Sequence, residues 1–457
     1  MVYVRQERLP ALREYKYSSV DHSLVSKYIL KPFYTGFVIH CFPKWMAPNL
    51  ITLTGFSFVV ANFLTLLWYN PNLDTDCPVW VYYSWAVGLF LYQTFDAVDG
   101  TQARRTHQSG PLGELFDHGV DALNTSLEVL IFAGSQNMGH GWMTVATLFA
   151  SLMTFYVQTW DEYHTKTLTL GIVNGPVEGI LILVFVYALT GYMGGAHFWQ
   201  QSMLLTLGVL KVDWIPEFFY ARSFTEWYMM QGAIVLVWNT LESCRNVIKA
   251  RRARGDKSRY ALVGLVPFAT TWVLTVLYLA LQPNILRAHI IPFGLFAGLM
   301  NAYSVGQMIT AHLVKLDFPY YNVLALPLAY GVIDSLGPWL QYETSTAWLG
   351  WPSALGDGMY QVAFMFCMLG MAVGVYGSFV VDVIVTICDY LDIWCLTIKH
   401  PWTGEENDRG EKTAQGGEKK GKTQKVEENG EQKKLGTAKG EKSFAQVAKG
   451  MNGKKID

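Results

Sequence analysis

The chain has 457 residues, 51% of them hydrophobic and only 16% charged, with a formal net charge of −1. That balance is too apolar for an ordinary soluble enzyme, and no basic stripe with interleaved aromatics points to a nucleic-acid partner. Of the 35 Lys/Arg and 36 Asp/Glu, 13 and 10 lie after residue 400, so the preceding chain reads as a bundle of hydrophobic helices.

The N-terminal Met1-Val-Tyr-Val-Arg-Gln-Glu-Arg lacks the apolar region of a cleavable signal, so the first transmembrane helix is expected to direct insertion. From Ser23 to Lys44, Leu24, Tyr28, Ile29 and Phe33 are set against Lys27 and Lys31, with Pro32 expected to break the stretch in two. This pattern predicts an amphipathic segment along the cytosolic interface. Asn49 is the expected N-cap of the first span.

Apolar runs of about 17–25 residues can cross a hydrocarbon core of about 30 Å. They are predicted near 50–69, 79–96, 119–137, 142–160, 176–192, 227–247, 260–281, 289–310, 319–340 and 359–387, with a further stretch at 196–210 interrupted by Gln200, Gln201 and Gly208. The expected fold is therefore all-α: a polytopic membrane bundle of about ten transmembrane helices with an N-terminal interfacial amphipathic helix. Basic residues before span one, at Arg104 and Arg105, and at 249–259 fall on one side of that topology, while loops 70–78 and 341–358 contain no Lys or Arg. The positive-inside rule then puts both termini in the cytosol.

Cys41, Cys77, Cys244, Cys367, Cys388 and Cys395 form no C-x-x-C pair, which indicates neither a disulfide framework nor a zinc site. From Gly404 onward Gly, Glu, Lys, Gln and Asn dominate, and this tail is expected to be disordered. The domain reading is an N-terminal cytosolic segment at 1–48, catalytic helices at 49–192, additional transmembrane helices at 193–395 and a charged tail at 396–457.

Chemistry concentrates in Asp96-Ala-Val-Asp99-Gly100-Thr-Gln-Ala103-Arg104, followed after eight residues by Gly113-Glu-Leu-Phe-Asp117-His118-Gly-Val-Asp121. On two helices, Asp96, Asp99, Gly100, Ala103 and Arg104 share one face, and Gly113, Asp117 and Asp121 form a second stripe at i, i+4, i+8. A single charge at a bilayer centre costs about 2.5–3.5 kcal/mol, so four carboxylates require a positive partner. Carboxylates without His or Cys ligands select Mg²⁺, Mn²⁺ or Ca²⁺, and four can hold two ions. Gly100, Ala103 and Gly113 leave room for a pyrophosphate, and Arg104 offers a planar fork to phosphate oxygens; the competing reading of the small residues is close helix packing.

His118 or Asp121 is the candidate general base. Asn124 and Glu128 extend the stripe, either toward substrate or into helix packing. Trp160–His164 and Asn174–Glu178 read as caps and interface anchors, the competing reading being a share in holding a head group, while Asp334 and Asp382 stand isolated in apolar runs.

These residues resemble the CDP-alcohol phosphotransferase family, whose pattern is D-x-x-D-G-x-x-A-R, eight or nine residues, then G-x-x-x-D-x-x-x-D. Every position is met, and Pro48-Asn49-Leu-Ile-Thr52 and Pro111-Leu-Gly-Glu-Leu-Phe-Asp-His118-Gly are similar to the eukaryotic choline/ethanolamine branch. The resemblance covers roughly residues 1–395. It implies transfer of a phosphoalcohol from CDP-choline or CDP-ethanolamine to diacylglycerol, releasing CMP. It further implies that Asp96, Asp99, Asp117 and Asp121 bind two Mg²⁺ ions, with Mn²⁺ as substitute, and that Asn49, Gly100 and Arg104 contact the CDP group alongside Ala103 and Gly113. A homodimer among membrane lipids of the endoplasmic reticulum or Golgi is implied likewise. The alternatives are a CDP-diacylglycerol-dependent phosphatidyltransferase, whose relatives are typically about half this length, and an ion-coupled transporter, which leaves Gly100, Ala103, Arg104 and Gly113 unexplained.

Overall fold

The computed structural model describes residues 3–15, 18–171, 175–212, 214, 216–255, 260–344 and 350–402. In chain order its helices are α1 (Lys31–Gly36), α2 (Pro48–Tyr69), α3 (Val79–Arg105), α4 (Pro111–Ser135), α5 (Trp142–Thr165), α6 (Ile180–Tyr192), α7 (Met203–Thr206), α8 (Glu217–Tyr220), α9 (Phe224–Ala253), α10 (Val266–Leu281), α11 (Pro283–Ala288), α12 (Ile290–Leu313), α13 (Ala325–Thr344) and α14 (Met359–Leu391). Among the described residues, four helical stretches are long and apolar enough by themselves to cross a membrane: Pro48–Tyr69, Gly175–Tyr192, Leu262–Leu281 and Met359–Leu391. The other predicted runs fall on α3, α4, α5, α9, α12 and α13, whose polar positions dilute their hydropathy; α3 and α4 carry the motif carboxylates. The 196–210 stretch forms only a 3₁₀ segment, Ala196–Gln200, and the four-residue α7.

Local chemistry sets the helix ends. The first span begins one residue earlier than expected: Ala47 is the cap and Pro48 stands at the first helical position, where its missing N–H is no loss. Asn49 is thus inside the helix and does not cap it. Pro111 opens α4 in the same way, and a capping box between Ser223 and Glu226 opens α9, satisfying otherwise orphaned N–H groups.

Near the N-terminus the expected break at Pro32 is absent. The preceding turn, Ser26–Leu30, is π-wound and the Lys31 N–H reaches back to the Ser26 carbonyl, which widens the helix and accommodates the proline ring. Helix continues to Gly36, and the turn comes at Phe37. Leu30, Tyr34, Val38, Ile39 and Phe42 pack on Ile51, Val98 and Val177, whereas Leu24, Tyr28, Ile29, Phe37 and Trp45 remain exposed.

Among the described residues the only strand ladder is short: Ser19–Asp21 pairs in parallel with Leu168–Leu170, Ser19 opposite Leu168. Three-residue strands leave no readable alternation in a sequence. This ladder ties the N-terminal segment to the chain just after α5.

Helix α2 packs on α3 and α4, α4 on α5 and α12, α3 on α6, α5 on α9, α12 on α14 and α10 on α13. Trp85, Trp160, Tyr82, Tyr92, Tyr156 and Tyr187 are fully buried among them. The outside keeps large apolar side chains exposed, including Leu64, Trp68, Phe185, Ile234, Val235 and Trp238, as a lipid-facing surface requires. Asp334 is a structural anchor, accepting hydrogen bonds from the Ala354 and Leu355 N–H groups at 2.6 and 3.3 Å and from Gln361 at 3.1 Å. Asp382 accepts from the Tyr3 N–H at 2.9 Å. All these helices belong to one compact unit, Met1–His400, and the second unit, Pro401–Asp457, is described only at Pro401 and Trp402. The expected disordered tail lies outside the described residues.

Candidate active site

The motif occupies the last turns of α3 and the first turns of α4, two helices that both pack on α2. Gln102 and Arg105 hold the connecting geometry. Gln102 donates to the carbonyls of Pro43 and Met46 at 3.0 and 2.8 Å, and Arg105 donates to those of Ile39 and Phe42 at 2.9 and 2.6 Å. The segment before α2 is thereby fastened to the end of α3.

Asp96, Asp99 and Asp117 each offer a carboxylate oxygen, and these oxygens lie within 4.8 Å of one another. Asp99 is buried and accepts a short hydrogen bond from the Thr52 hydroxyl of α2. One oxygen each of Asp96 and Asp117 is buried with no hydrogen-bond partner. Among the described residues, the only basic side chain with a nitrogen within 4 Å of these three carboxylates is His118, whose Nδ1 is 3.9 Å from Asp117 Oδ2. Three gathered carboxylates with unpartnered oxygens repel one another and fit a hard divalent cation. Asp121, one turn beyond Asp117, stands outside this trio and accepts a short hydrogen bond from the Tyr92 hydroxyl.

The glycines decide between packing and ligand space. A Cβ at Gly113 would meet nothing within 4 Å, and one at Gly100 only the Arg104 guanidinium at 3.7 Å. In contrast, a Cβ at Gly55 would fall 2.8 Å from Phe95 and one at Gly298 2.4 Å from Ser126. Close packing therefore uses Gly55 and Gly298, while Gly100 and Gly113 border open space. Ala103 is half-buried beside them. Arg104 is exposed and, among the described residues, its side chain donates only to Thr101 Oγ1, at 3.1 Å, leaving most of its five N–H donors available. Gly113→Val is accordingly expected to change stability by no more than about 0.5 kcal/mol while weakening substrate binding, whereas Gly298→Ala should cost about 1–3 kcal/mol by overpacking. Thermal unfolding of the two purified variants checks the contrast.

His118 is buried between α4 and α5. Its Nδ1 is 3.1 Å from the Glu114 carbonyl and its Nε2 3.4 Å from Glu162 Oε2, so both ring nitrogens are oriented by the protein. The Asn49 amide donates to the Cys395 carbonyl at 3.1 Å. Asn124 and Glu128 are buried, and Glu128 accepts from the Tyr187 hydroxyl at 3.0 Å. Within Trp160–His164, Trp160 donates to the Ala261 carbonyl at 3.3 Å and Tyr163 to that of Leu316 at 2.7 Å, as anchors would. Glu178 accepts a short hydrogen bond from Ser23, and Asn174 lies outside the described residues.

Sequence reasoning missed three contributors. Thr52 and Tyr92 orient carboxylates, and Glu162 orients His118. The spacing of Tyr92, one turn before Asp96 on the same helix, was the available signal for one of them; nothing local to α5 pairs Glu162 with His118.

The sequence pattern of the CDP-alcohol phosphatidyltransferase family matches residues 45–238. The chain is 40% identical over 409 residues to choline/ethanolaminephosphotransferase 1 of Saccharomyces cerevisiae, covering 87% of this chain and 98% of that one. It belongs to the CDP-alcohol phosphotransferase family. An uncharacterized class-I member of that family from Schizosaccharomyces pombe is 40% identical over 403 residues, 86% of this chain and 97% of its own. Choline/ethanolaminephosphotransferase 1 of Arabidopsis thaliana is 37% identical over 403 residues, 87% and 99% of the two chains. The likeness to these CDP-alcohol phosphotransferases extends well beyond the matched pattern, into α10–α14.

Proposed function

We propose that this family member transfers phosphocholine, phosphoethanolamine or both from the CDP-alcohol to diacylglycerol, giving phosphatidylcholine or phosphatidylethanolamine and CMP. The observation that carries the reading is the trio of carboxylate oxygens within 4.8 Å beside open space at Gly100 and Gly113, in a chain whose relatives bear the name choline/ethanolaminephosphotransferase.

Asp96, Asp99, Asp117 and Asp121 would hold two Mg²⁺ ions, or Mn²⁺ in their place, which when bound neutralise the pyrophosphate and favour departure of CMP. Thr52 and Tyr92 orient two of those carboxylates. Arg104 donates to phosphate oxygens, while Gly100, Ala103 and Gly113 let the diphosphate approach the helices. We assign the proton acceptor to His118, through Nε2 because Nδ1 faces the Glu114 carbonyl, or to Asp121; Glu162 lies 3.4 Å from that Nε2. The acceptor takes the proton of the diacylglycerol hydroxyl, that oxygen forms the new bond to the phosphorus bearing the alcohol, and the bond from that phosphorus to CMP breaks. A single displacement suffices, since among the described residues no Ser or Cys is hydrogen-bonded to the carboxylate trio or to His118 to form a covalent intermediate there.

The ten long helices are read as ten spans, with the segment before α2 lying along the cytosolic interface on its exposed Leu24, Tyr28, Ile29 and Phe37. Active site and termini would face the cytosol of the endoplasmic reticulum or Golgi, in a homodimer. Arg104→Gln tests the nucleotide contact: loss of a charge-assisted hydrogen bond, about 1.5–3 kcal/mol, should raise the KM for CDP-alcohol roughly 10–100-fold. An unchanged KM would remove Arg104 from the diphosphate.

A further inference from the structure

A polar cavity lies where α5 ends, next to the last turns of α9 and the turn after α12. It has a volume of about 550 Å³ and is lined by Tyr163, Lys166, Arg251, Arg254, Asp317 and Phe318 among others. None of these residues belongs to the Asp motif or touches its carboxylates.

Lys166 terminates α5 in a left-handed conformation, φ 62°, with its N–H bonded to the Glu162 carbonyl at 2.8 Å. That turn directs its side chain over the Tyr163 ring, 4.6 Å from the centroid, and to 3.3 Å from His312 Nδ1. Arg254 arrives from the end of α9 and donates a short hydrogen bond to the His164 carbonyl. Arg251, one turn earlier on α9, has its Nε buried without a hydrogen-bond partner. Among the described residues no carboxylate lies within 4 Å of any of the three cations, although Asp317 lines the same cavity. Partial burial, and then the neighbouring Arg254 guanidinium, hold the Lys166 ammonium down at about 8.

Three cations converging on one cavity repel one another and would be dispersed by rotamer changes if solvation were their only need. Here the ends of two helices, α5 and α9, position them, and an aromatic wall of Tyr163, Phe318 and Tyr320 flanks the space. One Asp against two Arg and one Lys leaves an excess of two positive charges, matched by a phosphate dianion bound through guanidinium forks. We infer that Lys166, Arg251 and Arg254 form a binding site for a phosphomonoester dianion, separate from the carboxylate cluster. The same chemistry is carried by the head group of phosphatidic acid and by free phosphate, and aromatic side chains of this kind favour the level of lipid head groups.

The test uses the full-length chain in detergent micelles with EDTA present, so that no metal ion bridges phosphate to the Asp motif. Native mass spectrometry with phosphatidic acid against phosphatidylcholine forms one arm, and equilibrium dialysis with labelled inorganic phosphate the other. The variants are Arg251→Gln and Lys166→Gln, separately, each checked by thermal unfolding; among the described residues Arg251 makes no side-chain hydrogen bond or ion pair whose loss would loosen the fold, so at least one variant reports on the site alone. Phosphatidic acid retained by the wild type and weakened at least tenfold in the variants supports the site with a lipid ligand. The same pattern with inorganic phosphate alone supports it with a soluble ligand. Binding of neither probe above phosphatidylcholine, or equal binding by wild type and both folded variants, overturns it.

Discussion

Asp99→Asn is expected to lower turnover about 10³-fold, roughly 4 kcal/mol of transition-state stabilisation, while the protein stays folded. The reason lies in what the substitution keeps and what it removes. Asn retains an oxygen to accept the Thr52 hydrogen bond, so the contact between α2 and α3 survives. It removes one of three negative charges whose oxygens lie within 4.8 Å, and with it the attraction for divalent cations. Relief of the repulsion should leave the unfolding temperature unchanged or higher in metal-free buffer, and Mg²⁺ should stabilise the wild type more than the variant. Near-wild-type turnover by folded Asp99→Asn would remove the carboxylates from catalysis.

His118→Ala is expected to reduce kcat by about 10²–10⁴-fold with little change in the KM for CDP-alcohol. The split follows from position: His118 is held against Glu162 and the Glu114 carbonyl, while Arg104 stands exposed on α3. Glu162→Gln should lower kcat by a smaller factor in the same pattern, because the ring keeps its Glu114 contact but loses the carboxylate. Steady-state kinetics of both variants measures this. Unchanged kcat for His118→Ala would pass the proton to Asp121.

The motif was legible because its chemistry repeats at helical spacing. Asp96 with Asp99, and Gly113 with Asp117 and Asp121, each fall on one face of a helix, and the structure brings three of the four carboxylates together. Helix positions were legible for the same reason, since apolar runs of membrane length have few alternatives. Three features were not. The π-wound turn before Pro32 depends on a backbone choice that composition does not encode, and the Ser19–Asp21 ladder depends on a partner almost 150 positions away. The third is the role of Glu162, which reads locally as a helix-end acid and acquires meaning only when α4 packs on α5. The displaced cap at Asn49 is a milder case: Pro48 already signalled a helix start one residue earlier.

The central claim is most directly tested by lipid product formation from the purified protein in nanodiscs containing diacylglycerol and Mg²⁺, with CDP-choline and CDP-ethanolamine offered in competition and Asp121→Asn as control. Phosphatidylcholine or phosphatidylethanolamine formed in step with CMP, and lost in the control, is the expected result. No lipid product from either donor, with product appearing instead from CDP-diacylglycerol or from none of the three, would contradict it.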